Sequence, residues 1–112
     1  MTRDELFRKY EVRHEGMKDE HNSPSAFLAM PLENQAELLA LIRTRLKPRI
    51  SFNPRMGSYA LKHRFEVLTS FGYVGNGEMK GAMLVAGYRM QPVDGGINGW
   101  FDADERGPGS HV

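Results

Sequence analysis

Apolar residues recur at helical spacing in several stretches of the chain, separated by segments rich in proline, glycine and polar residues. Leu6, Phe7 and Tyr10 give a narrow apolar face to a first predicted helix over 3–13. Thr2 and Glu5 occupy capping-box positions in front of it, and Gly16 supplies a stop. The polar run 18–25 ends in Ser-Pro-Ser and reads as a loop, while 26–30 reads as one helical turn or an apolar strap. The strongest pattern begins at Pro31 or Leu32 and runs to Leu46. There Leu32, Ala36, Leu39, Ile42 and Leu46 share a face, with Leu38 beside it. Pro31 suits a first helical turn. Glu33 and Glu37 near the start, and Arg43, Arg45 and Lys47 near the end, complement the helix dipole, and Pro48 closes the element.

The pattern then weakens. Residues 48–57 carry two prolines and read as a linker, with Ile50 and Phe52 alternating with polar neighbours as a short extended piece. Ser58 is in position to cap a helix over 59–69 whose stripe is Leu61, Phe65 and Leu68. Residues 70–77 read as a glycine turn enclosing a two-residue strand, Tyr73-Val74. Asn76 is a candidate cap for a further helix over 78–86, ended by Gly87, with Met79, Ala82, Met83 and Ala86 inward. Beyond Met90 the chain is glycine-rich and irregular, and Ile97, Trp100 and Phe101 are the last core candidates.

These elements predict a mainly α fold. Three or four helices pack around Leu39, Ile42, Leu46, Leu61, Phe65, Leu68, Met83 and Trp100, with strand pieces near 50–53, 73–74 and 97–101. A helix–turn–helix-like arrangement of the two helices after Ser58 is one option. The connection is longer than that motif uses, and the second helix offers only Lys80 for reading bases, so a plain helical hairpin is the competing account. The 112 residues suggest one domain over 1–103 and a mobile tail over 104–112.

Charge changes the picture more than composition does. The net charge is +1, yet residues 38–65 contain no acid and hold Arg43, Arg45, Lys47, Arg49, Arg55, Lys62 and Arg64. All fourteen acids lie outside that segment. Phosphate binding needs cations on one surface without acids to cancel them, and this segment supplies them. Ser51, Asn53, Ser58 and Tyr59 add neutral donors. The competing account is that Arg43, Arg45 and Lys47 satisfy a helix end and the others are simply solvated.

Other chemistry is sparse. With no cysteine, disulfides, thiolate metal sites and a cysteine nucleophile are excluded, and a reducing cytoplasmic setting is expected. The start of the chain does not read as a signal peptide, and no apolar run reaches membrane-spanning length, so no membrane partner is expected. The stretch from Gly72 to Gly81 contains neither GxGxxG nor a P-loop ending. His14, His21 and His63 lack metal-ligand spacing, so neither metal nor other cofactor is expected. Ser58 and His63 are misplaced for a nucleophile–base pair, and no enzymatic activity is expected. Tyr59, Phe52, Tyr73, Tyr88 and Trp100 are candidates for stacking on bases, though such residues more often pack against the core.

The string Ser58-Tyr-Ala-Leu-Lys-His-Arg-Phe-Glu, followed by Tyr73-Val-Gly-Asn-Gly-Glu-Met-Lys-Gly-Ala-Met-Leu-Val-Ala-Gly-Tyr88, resembles a group of small, mostly uncharacterised proteins of bacteriophages, plasmids and actinobacteria. The likeness spans residues 45–101 and carries no catalytic residue across. It implies a mobile-element accessory protein. Combined with the charge pattern, it leads to nucleic-acid binding through Arg43, Arg45, Lys47, Arg49, Arg55, Lys62, Arg64 and Lys80. Two alternatives stand beside that expectation. One is an inhibitor of bacterial defence, of anti-CRISPR or anti-restriction type, whose partner is a host nuclease or CRISPR effector. The other is a phage structural or assembly component.

Overall fold

The segment that reads as a linker is a strand. In the computed structural model, which describes residues 1–107, the elements in chain order are α1 (Arg3–Glu11), α2 (Leu32–Arg45), β1 (Leu46–Gly57), α3 (Ser58–Glu66), α4 (Asn76–Val85), β2 (Met90–Val93) and β3 (Asn98–Glu105). Short 3-10 turns occupy Glu15–Met17, Pro24–Ala29 and Asp94–Gly96. The strands form one antiparallel sheet in the order β1-β3-β2. The fold is therefore α+β, and the mainly α expectation is corrected.

The sheet hides from pattern reading because β1 is irregular. Its pairing runs Leu46↔Glu105, Lys47↔Asp104 and Pro48↔Ala103, then resumes at Asn53↔Phe101 and Gly57↔Trp100. Residues 49–52 bulge out of the ladder, which erases any alternation of period two. Pro48 and Pro54 are tolerated because β1 is an edge strand. Side chains replace the missing ladder bonds: Asn53 Nδ2 donates to the Ala103 carbonyl (3.1 Å), and Ser58 Oγ accepts from the Gly99 amide (3.1 Å). Ser58 is thus the first residue of α3, not its cap, and Gly57 takes the cap position.

Other boundaries shift for local reasons. The inward face of α2 is Gln35, Leu38, Leu39 and Ile42, whereas Leu32 and Ala36 are exposed. Gln35 can be buried because its amide donates to the carbonyls of Met30 (2.9 Å) and Leu28 (3.4 Å). Tyr73-Val74 forms no strand. The strand at the C-terminal end runs to Glu105, and the Arg106 amide donates to the Arg45 carbonyl (3.0 Å), so order extends past the expected start of the tail. The last part of that expected tail, 108–112, lies outside the described residues.

The core gathers Phe7, Phe27, Leu38, Ile42, Leu46, Leu61, Phe65, Met79, Met83 and Phe101. Leu68 and Ile97 are exposed and Trp100 is half-buried, contrary to expectation. The helix–turn–helix-like option also falls. Gly77 and the whole run from Met79 to Leu84 are buried, so α4 is a central packing helix with no face left to enter a groove.

Candidate nucleic-acid interface

The structure separates the predicted cations into two populations. Lys80 is fully buried on α4, and its Nζ donates to the carbonyls of Asn22 (2.7 Å) and Gly96 (3.0 Å). Burial penalises the ammonium and lowers its pKa from 10.5 to about 8; the nearby Asp19 carboxylate offsets part of that shift. Lys62 is buried on α3, with Nζ 3.2 Å from Glu66 Oε1. That hydrogen bond is the chief reason the Glu66 carboxyl is held below its ordinary range. Arg64 pairs with Glu105 of β3. Lys80 and Lys62 are committed inside the molecule, and Arg64, though exposed, is paired at the surface.

Arg43, Arg45, Lys47, Arg49 and Arg55 are exposed, and among the described residues none of them forms an ion pair. They run along the end of α2 and the length of β1, where positions 47–51 are exposed on both faces of the strand. Two arginines outside the acid-free segment support this arm. Arg89 donates from Nη2 to the Ile50 carbonyl (3.1 Å), lies 5.3 Å from the centre of the Phe52 ring, and pairs through Nε with Asp102 (2.8 Å). Arg106 donates from Nε to the Arg43 carbonyl (3.2 Å). The bulge is therefore held in place, with Ile50 95% exposed at its outer side and Arg49 next to it. Asp104 lies across the ladder from Lys47, so acids border the arm on its β3 side.

A cleft of about 410 Å³ opens where β1 hands over to α3. Tyr59 and Lys62 of α3, Tyr73, Asn76 and Asn98 line it, with His21 and Asn22 from the loop before the Pro24–Ala29 turn. The Lys62 ammonium lies 5.7 Å from the centre of the Tyr59 ring and 4.8 Å from that of Tyr73. Both rings remain largely open, at 58% and 70% exposure.

Beneath the cleft, α4 fastens two loops. Asn76 Nδ2 donates to Asn22 Oδ1 (2.8 Å), the Ile97 carbonyl (2.8 Å) and Asn98 Oδ1 (3.2 Å), while its own Oδ1 is buried without a partner. The Gly77 amide donates to the His21 carbonyl (2.8 Å). A Cβ on Gly77 would collide with the Ser23 carbonyl, and one on Gly81 with the Pro24 carbonyl, so both glycines are required by close approach. Gly96, at φ 96°, turns the chain between β2 and β3 so that its carbonyl meets Lys80. The Asn-Gly-Glu-Met-Lys-Gly string thus has a structural job.

The expected site is accordingly divided: five of its eight cations share one exposed arm, and Lys62, Arg64 and Lys80 do not join it as free charges. Arg89 and Arg106 lay outside the acid-free segment, and their support of the arm depends on long-range pairing. Lys80 was detectable from its setting between Gly77 and Gly81 and among Met79, Ala82 and Met83. Among the described residues, no helix is long and apolar enough to cross a membrane, and no cluster of three or more metal-ligating side chains occurs. Compared with family models, curated proteins and solved structures, the chain matches none.

Proposed function

We propose that the chain binds nucleic acid through the cationic arm formed by the end of α2 and by β1. The observation that carries this reading is the set Arg43, Arg45, Lys47, Arg49 and Arg55, exposed and without ion pairs among the described residues, at the end of α2 and along a strand whose positions 47–51 are open on both faces. A cation already paired to a carboxylate gains little by meeting a phosphate, whereas an unpaired one releases condensed counterions from the nucleic acid. The bulge supports the reading further, because Asn53 and Arg89 hold it from behind and its cations meet a backbone with less ordering cost. Phosphate contacts of this kind position a strand or duplex without reading its sequence.

Filter binding to a duplex tests the proposal. With three to five phosphates contacted, affinity falls roughly 40- to 500-fold between about 50 mM and 200 mM salt. Absence of binding at the lower salt concentration would rule the proposal out.

One observation favours a protein partner instead. The outer edge of β1 carries the exposed Ile50 and, among the described residues, has no neighbouring strand, which suits the addition of a strand from another protein. A nuclease or effector of bacterial defence is the kind of partner the sequence resemblance suggests. Ile50→Lys separates the two readings: it abolishes pairing with a protein partner and leaves nucleic-acid affinity equal or higher.

A further inference from the structure

We infer that the cleft between Tyr59 and Tyr73 receives an unpaired nucleobase, so that the protein prefers single strands to duplex. This inference rests on the nucleic-acid reading of the β1 arm and adds to it the form of nucleic acid recognised. The chain path connects the two regions. Arg55 lies near the end of β1, and the first two turns of α3, which follows directly, carry Tyr59 and Lys62. A strand whose phosphates track β1 is delivered to the cleft.

The composition of the cleft fits a base better than it fits other ligands. Its volume of about 410 Å³ accommodates one base with its sugar. Tyr73 is 70% exposed and offers a stacking face beside Tyr59. The Lys62 ammonium lies 5.7 Å and 4.8 Å from the two ring centres, so a cationic ligand would be repelled by a charge already present. The same ammonium is committed to Glu66, so the cleft adds stacking and leaves the phosphates to the β1 arm. Asn22 and Asn98 line the wall but are bonded to Asp19, Asp94 and Asn76, so the cleft takes a base by stacking and does not read its edge. Among the described residues no carboxylate lines the cleft, and the nearby Glu66 is paired with Lys62.

Affinity for an oligothymidine and for a duplex of equal length, measured side by side, tests the inference. Tyr73→Ala should weaken single-strand binding by about 5- to 150-fold, the range of one base–aromatic stack, while duplex affinity and the salt slope stay unchanged. Tyr73→Phe should restore the single-strand affinity. Tyr73 is exposed, so folding survives both changes, which circular dichroism verifies. Photocrosslinking of a bromouracil-substituted strand should map to Tyr59 or Tyr73. If Tyr73→Ala leaves single-strand binding intact and crosslinks fall elsewhere, the cleft is overturned while the arm stands. If Arg49→Ala with Arg55→Ala changes neither substrate's affinity, or nothing binds at low salt, the arm itself is overturned and the cleft with it.

Discussion

The β1 arm and helix α4 use the same kind of side chain for opposite ends. On α4, Lys80 is sealed from solvent, bonded to two backbone carbonyls and backed by glycines that admit the loops it ties. On β1, Lys47, Arg49 and Arg55 stand in solvent without an ion pair among the described residues. In sequence α4 carries the string on which the resemblance rests, and β1 is a proline-containing connection marked only by its charge. In three dimensions the distinctive string is consumed in holding loops 19–23 and 94–98 together, and the plain segment is left facing outward. Distinctiveness of sequence and availability for binding are separate properties here.

That contrast can be broken by substitution. The largest effect is expected for Lys80→Ala, which orphans the Asn22 and Gly96 carbonyls and leaves a cavity; it should cost about 3 kcal/mol in urea denaturation. Next comes Gly81→Ala, whose new methyl group meets the Pro24 carbonyl and Phe27 Cβ; a loss of about 2 kcal/mol is expected. If either change is silent, α4 is not the fastening element. A third outcome concerns pH. The pKa of Lys80 is about 8 folded and near 10.5 unfolded, so in that interval the unfolded chain binds more protons. The burial penalty is fully present below pH 8 and is relieved as pH rises toward 10.5. Wild-type stability should therefore gain over that of Lys80→Ala across this interval, and parallel curves would show the shift to be absent. The smallest effect on stability is expected on β1, where Arg49→Ala and Arg55→Ala should each stay within about 0.5 kcal/mol.

The helices were legible because their apolar residues recur locally, and α2 illustrates both the reach and the limit of that signal. Its existence and its end near Leu46 follow from Leu38, Leu39 and Ile42, but the burial of Gln35 depends on carbonyls of a separate turn. The sheet was legible only as strand pieces near 50–53 and 97–101, without their extents or their pairing. Its central strand, Asn98–Glu105, holds three acids and resembles a tail, and Asp102 is buried only because Arg89 meets it with both its amide (2.7 Å) and its guanidinium. Pairing of residues 46–57 with 98–105 is written in neither segment alone. For the candidate site, the acid-free charge run located the five exposed cations. It misjudged Lys62 and Arg64, because their acids, Glu66 and Glu105, lie just past the segment and far along the chain respectively.

The central claim is that the β1 cations are held free for phosphate while those of α3 and α4 serve the fold. The most direct test is the salt dependence of nucleic-acid affinity for the wild type and for the Arg49→Ala, Arg55→Ala double variant. The account predicts unchanged melting and a logarithmic slope shallower by about 2 for the variant, one counterion per lost phosphate contact. Identical slopes for the two proteins would contradict it.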